Sequence, residues 1–281
     1  MFESEELFSN AINIYNTATS HADALHKFHT EYEQPIFNLL RSKYLDKLKR
    51  WWQTYILPLP SDKSIVIYET RCHPNLEFLI YNLTYFARGW ALTIFCSDAN
   101  YTFIKTILGN NSKNADLQVV RKDEGGKEVR DEYNKFTKSI EFWNLFRCSH
   151  VLMSEMDSYL RRPIPDTAIN YDYICCYWPW HSSLSGGGGI SIRNVNAMKS
   201  ICNTYPTLTD EYFGQDNWAA EGVNRLHLSY NNSLLIEANH GIIDPIGFHN
   251  WWTFINPSEL YRYYHIYDNY LRLEIDKNIT I

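Results

Sequence analysis

The chain has 281 residues, enough for one large α/β domain or two small ones and for a sizeable core. Its net charge of −6 leaves no surplus of cations to neutralise phosphates, which argues against a general nucleic-acid binder. No run approaches the roughly 20 apolar residues that span a bilayer, and aromatics, at 16% with 21 Tyr and 9 Trp, serve core packing first and sugar stacking second.

None of the six cysteines is spaced as C-x-x-C, so a zinc knuckle is not expected, and at this size without a secretory signal a disulfide framework is not expected either. The opening Met1-Phe2-Glu3-Ser4-Glu5-Glu6 is acidic where a signal peptide would be basic. The expectation is a soluble, cytoplasmic protein. The abundance of Asn, Ile, Lys and Tyr is compatible with an AT-rich genome, a viral one acting in host cytoplasm included. Sequons such as Asn82-Leu83-Thr84 mean little without an export signal.

Residues 1–60 read as a helical extension. Leu25, Phe28 and Tyr32 sit at helical spacing, and Pro35 is expected to open a second helix through Phe37, Leu40, Tyr44, Leu45 and Leu48. Packing on the main domain is the simpler role, and an oligomerisation arm is the alternative. Pro58 and Pro60 close this region. Residues 61–255 read as the main α/β domain.

Ser64-Ile65-Val66-Ile67-Tyr68 is the first predicted strand and ends in the polar cluster Glu69-Thr70-Arg71. Pro74 opens a helix that stops at Gly89. Ala91-Leu92-Thr93-Ile94-Phe95-Cys96 is the second strand, followed by Ser97-Asp98, a helix-capping pair. One βαβ unit implies a parallel sheet. Neither a G-x-G-x-x-G fingerprint nor a Walker-type loop occurs. A short strand at Leu117-Gln118-Val119-Val120 is followed by a charged, exposed loop over 121–132 containing Gly125-Gly126. Tyr133-Asn134 then lead into a helix with Phe142 and Trp143.

The stretch His150-Val151-Leu152-Met153-Ser154-Glu155-Met156-Asp157 reads as a buried strand running into two carboxylates. Ligands of open α/β sheets bind outside the carboxyl ends of strands. Glu155 and Asp157, two apart on an extended chain, can point the same way and suit a hard divalent cation. A strand closing in a polar turn is the plain alternative.

A second apolar strand, Tyr173-Ile174-Cys175-Cys176-Tyr177, leads to Trp178-Pro179-Trp180-His181 and then to four glycines, 186–189. Consecutive glycines are costly to order, and close approach of backbone to a ligand or another segment justifies them. Thr209-Asp210-Glu211 reads as an acidic loop. Gly214-Gln215-Asp216 opens a helix, with an N-terminal cap as the plain alternative role for Asp216. Leu234-Leu235-Ile236 is a late strand, His249 lies between aromatics as core histidines do, and 256–281 is a helical tail packed on the domain.

The order of these features resembles the DUF5672 family, allied to GT-A glycosyltransferases, over roughly residues 62–255. The motifs are Glu69-Thr70-Arg71, Tyr133-Asn134, Asp157-Ser158, Gly188-Gly189-Ile190-Ser191-Ile192-Arg193, Gln215-Asp216 and Pro245-Ile246-Gly247-Phe248-His249. The resemblance implies a nucleotide-diphospho-sugar transferase fold, with a mostly parallel central sheet flanked by helices. It implies a Mn²⁺ or Mg²⁺ ion on Asp157, His249 and Glu155, the last directly or through water. It further implies Asp216 as general base, with Asp210 and Glu211 as fallbacks, and an inverting transfer. Glu69, Thr70, Arg71, Asp98, Asn134, Glu155, Gly187 and Gly188 become candidates for the UDP- or GDP-sugar donor. Trp178, Trp180 and Trp251 are candidates for sugar stacking or for the core. The acceptor would be a hydroxyl of a glycan, protein or small molecule. Two rivals remain: a nucleotidyltransferase that makes a nucleotide sugar, and a non-catalytic glycan-binding protein on the same fold.

Overall fold

The computed structural model describes residues 17, 20–124, 128–178, 185–211, 214–237, 245–254 and 259–278. Gly125, Gly126 and Trp180 lie outside the described residues. The strands are β1 Lys63–Tyr68, β2 Ala91–Ser97, β3 Asp116–Arg121, β4 His150–Ser154, β5 Ser158–Leu160, β6 Tyr173–Cys176, β7 Gly187–Asn194, β8 Tyr230–Ile236 and β9 Gly247–His249. They form one sheet in the order β3-β2-β1-β4-β7-β6-β8-β9-β5. The sheet is mixed: β7 pairs antiparallel with β4 and β6, and β5 antiparallel with β9, while the other ladders are parallel. β1 and β4 are neighbours, with β2 and β3 on one side only, so the chain reverses its direction of growth between them. That reversal is where an α/β sheet opens a crevice at its strands' carboxyl ends.

Helices cover both faces: α1 His21–Thr54, α2 Leu76–Phe86, α3 Asp98–Leu108, α4 Glu128–Thr137, α5 Ile140–Asn144, α6 Val195–Thr204, α7 Leu208–Glu211, α8 Gln215–Arg225 and α9 Leu260–Asn278. Alternation along the strands divides the core into two layers. Ile65, Ile67, Leu92, Ile94 and Leu152 join the layer under α1 and α2, whereas Val66, Phe95, Val151 and Met153 join the layer under α5, α6 and α8.

α1 is one helix, not two. Ser20 caps it by accepting from the Asp23 amide at 3.1 Å, and Pro35 sits inside it. Pro35 forfeits one backbone hydrogen bond there. The helix survives because Tyr32, Ile36, Phe37, Leu40, Tyr44, Leu48 and Trp52 bury one continuous stripe. That stripe is used within the chain, on α2 and the turn Trp251–Phe254, while Tyr44 and Lys43 both hydrogen-bond Asp268 of α9. Residues 128–132 are helical rather than loop, because α4 begins a turn before Tyr133. Three of the four glycines are strand, since Gly187 to Gly189 form the buried start of β7 and Gly186 leads into it. Trp178 and Trp251 are buried and serve the core.

Short β5 is held by a buried side chain. Asn82 of α2 donates to the Leu160 carbonyl at 2.8 Å and accepts from the Leu160 amide at 2.7 Å. It is fully buried, so the Asn82 sequon is closed to modification in the folded chain. Asn82→Ala would leave two backbone groups without partners. It is expected to cost about 2–4 kcal/mol, read as a lower midpoint in urea denaturation.

Candidate functional site

Backbone register brings the site together. Ser154 pairs with Ile190, and the Glu155 amide then donates to the Gly189 carbonyl at 2.7 Å, which sets Glu155 against β7. After a turn through Met156 and Asp157, β5 pairs with β9 so that Ser158 opposes His249. The Asn250 amide donates to the Asp157 carbonyl at 3.0 Å, and Asn250 turns the chain at φ 27°, a left-handed angle that asparagine tolerates better than most residues. His249 Nε2 consequently lies 3.3 Å from Asp157 Oδ2, and Asn250 reaches the same nitrogen from 3.3 Å. One ligand atom each from Glu155, Asp157 and His249 fall within 4.8 Å of one another. Opposite ligands of a Mg²⁺-sized ion stand about 4.2 Å apart, so the three fit a single cation with little adjustment.

These residues line a cleft of about 660 Å³ at the carboxyl ends of β1 and β4. Its wall carries seven carboxylates, from Glu33, Glu69, Glu124, Glu155, Asp157, Asp216 and Glu237, against the guanidinium groups of Arg71 and Arg130. Arg71 is held on one side: its Nε and Nη2 donate to the two oxygens of buried Glu69, both at 2.8 Å. Asn100 of α3 clamps the loop beneath by donating to the carbonyls of Glu69 and Arg71. Thr70 donates to the Glu124 carbonyl.

The remaining predicted residues divide. Asp216, in the first turn of α8, faces the cleft, and the Gly188 amide donates to its Oδ2 at 3.4 Å. Asn134 lines the cleft but spends its side-chain oxygen on the Gln215 amide at 3.0 Å, which fixes the start of α8 and with it Asp216. Asp98 is exposed on the first turn of α3, outside the cleft lining. Glu211 pairs with Arg225 at 3.1 Å, and neither it nor Asp210 lines the cleft. Gly187 is covered by the Trp178 ring, and Gly189 takes the place in the lining expected of Gly187 and Gly188.

Other residues of the cleft had no role assigned to them from sequence, Glu237, Tyr133, Glu33 and His73 among them. Glu237 follows β8, and the rule that singled out Glu155, a carboxylate just past an apolar strand, would have found it. Tyr133 donates to Glu155 Oε1 at 3.3 Å. Glu33 comes from α1, and His73 Nε2 lies 3.7 Å from its Oε1, with Asn75 donating to the same oxygen at 3.2 Å. No local signal in a long amphipathic helix marks Glu33.

Crowding sets the protonation states. Burial first, and the Asp157 charge second, raise the Glu155 carboxyl. The same two causes push Glu33 up to about 7. Burial alone would lower the His249 ring, but the Asp157 and Glu237 carboxylates beside it outweigh burial and hold it well above the usual histidine range. Without a metal, then, these carboxylates favour the protonated ring.

Fold and site together define an α/β protein with a carboxylate–histidine centre at its strand ends, in an acidic cleft. Residues 116–240 match the family model DUF5672, described as a protein of unknown function. That span holds Asn134, Glu155, Asp157, Asp216 and Glu237, and it is shorter than the stretch the motif order marks out, leaving out Arg71 and His249. No curated protein matches the chain. Among solved structures, the apo form of mouse xyloside xylosyltransferase 1 aligns over 68% of this chain and 98% of its own, at 10% identity and a TM-score of 0.44.

Glu33 offers a test of the electrostatics. A carboxyl group raised in the folded state binds more protons folded than unfolded, so its contribution to stability is present at low pH and lost as pH climbs from about 4.5 to about 7. Metal-free protein is expected to melt at a lower temperature at about pH 8 than at about pH 5. Glu33→Gln is expected to narrow that difference in thermal scans, because the amide has no charge to desolvate.

Proposed function

We propose that the chain is a GT-A-like, metal-dependent glycosyltransferase that moves a sugar from a nucleotide-diphosphate donor to a hydroxyl acceptor, with inversion. The observation that carries this reading is the Glu155, Asp157 and His249 trio at the ends of β4 and β9, sharing one cleft with Arg71. A diphosphate cannot settle against so many carboxylates without a cation between, and two carboxylates with an imidazole are a donor set for Mn²⁺ or Mg²⁺. The likeness of the DUF5672 family to GT-A enzymes, read from the order of motifs, supports the same view.

Each residue then has a role. Glu155, Asp157 and His249 Nε2 hold the ion, which when bound supplies Lewis acidity for the departing diphosphate. Arg71, oriented by Glu69, offers guanidinium N–H groups to phosphate oxygens. Asp216 accepts the proton of the acceptor hydroxyl as it attacks the anomeric carbon, and a single displacement inverts that centre. Tyr133 and the Gly189 carbonyl keep Glu155 in place through its side chain and its amide.

The test is release of nucleoside diphosphate from UDP- and GDP-sugars with Mn²⁺, Mg²⁺ or a chelator present. Release is expected only with metal, and Asp157→Ala should reduce it at least about a hundredfold. Asp216→Asn should slow transfer by about 10²–10⁴-fold while nucleotide-sugar binding persists. Production of pyrophosphate would instead favour the nucleotidyltransferase. Sugar binding without turnover, indifferent to Asp157→Ala, would favour the glycan-binding alternative.

A further inference from the structure

Glu237 and Trp178 take no part in the chemistry set out above, yet both are buried beside it. The Trp178 Nε1–H donates to Glu237 Oε2 at 2.6 Å. Glu237 Oε1 in turn lies 3.3 Å from His249 Nδ1, and His249 Nε2 lies 3.3 Å from Asp157 Oδ2. The side chains thus form a line, indole to carboxylate to imidazole to carboxylate, running from the core into the cleft.

The glycines of β7 lie along this line. A Cβ on Gly187 would stand 2.2 Å from the Trp178 ring, one on Gly188 3.0 Å from Glu237 Oε2, and one on Gly189 2.6 Å from His249 Nε2. Gly188 also sits at φ +99°, which side-chain-bearing residues rarely adopt. Three successive residues therefore give up their side chains to admit three successive members of the line. The run is costly as backbone entropy, and that close passage accounts for it.

We propose that Glu237 is a positioning residue which, braced by the Trp178 indole, holds His249 with its proton on Nδ1 and so leaves Nε2 to the divalent cation shared with Glu155 and Asp157. The inference rests on the metal reading above. Its chemistry is simple. Both ring nitrogens stand 3.3 Å from a carboxylate oxygen, and Nε2 is the one on the side of Glu155 and Asp157; a cation there takes the Nε2 lone pair, and the one proton of the neutral imidazole then lies on Nδ1, toward Glu237. A carboxylate behind a metal-bound histidine fixes the ring's tautomer and orientation and raises its basicity as a ligand.

The decisive variant is Glu237→Gln, close in shape. Its amide oxygen can still accept from Trp178, which turns its N–H groups toward Nδ1 and favours the wrong tautomer. Mn²⁺ binding to the full chain, read by electron paramagnetic resonance, is expected to weaken about tenfold to a hundredfold. A second measurement needs no variant at the relay. In ¹⁵N-histidine-labelled wild-type protein, Mg²⁺ should shift the Nε2 resonance of His249 while Nδ1 stays protonated, with His249→Gln used only to assign the signals. Unchanged Mn²⁺ affinity in folded Glu237→Gln protein, or Nδ1 as the nitrogen that responds to Mg²⁺, overturns the proposal and leaves the metal reading standing. Wild-type protein that binds neither ion removes both. If Glu237→Gln does not fold, the Mg²⁺ titration alone decides.

Discussion

His249 is wedged between the carboxylates of Asp157 and Glu237 in a cleft wall rich in negative charge, and much of the molecule exists to keep it there. Like charges this close repel strongly, and partial burial removes the water that would screen them. A positive charge must sit among them. In the metal-free chain the carboxylates favour the protonated histidine, which is why burial fails to lower that ring. A divalent cation supplies the same charge more strongly and brings open positions for phosphate oxygens. The site's acidity thus follows from the same arrangement that would make it useful.

Holding such a centre takes rigid backbone rather than long side chains. Glu155, Asp157 and His249 are fixed by three ladders of one sheet, with cross-links through the Gly189 carbonyl and the Asn250 amide. Asp157 and His249 are adjacent because β5 pairs with β9, and β5 keeps its place because Asn82 satisfies Leu160 on both its donor and its acceptor. The antiparallel insertion of β7 into an otherwise parallel neighbourhood brings the glycines to the same end of the sheet as the ends of β4 and β9. A wholly parallel sheet would have sent them to the other end.

The N-terminal helix is part of the site and not only a cover for it. Its buried stripe seats it on α2 and the Trp251–Phe254 turn, and Arg41 ties it to the Pro74 carbonyl and to Asn75. That seating delivers Glu33 to the cleft beside His73. The same helix is fastened to α9 through Asp268, so two segments far apart in the chain stand behind one wall of the cleft.

The sequence by itself determined the local pieces: apolar strands β1, β2 and β4, the parallel unit they begin, the carboxylates past Ser154, and the polar cluster past Tyr68. These are legible because burial on both faces and strand-end polarity leave a short-range pattern in residue type. It also marked His249 and Asp216, through the order of motifs rather than through any physical signal at either position. Glu237 was within reach of the strand-end rule and was passed over. Only the tertiary structure decided that β7 runs against its neighbours, that α1 continues through Pro35, and that Asp98, Asp210 and Glu211 stay out of the cleft. It alone brought in Glu33, and it alone gave the glycines a reason, the passage of Trp178, Glu237 and His249. Each of those outcomes depends on contacts between residues tens to hundreds of positions apart, and local propensity and periodicity carry no record of which distant surfaces will meet.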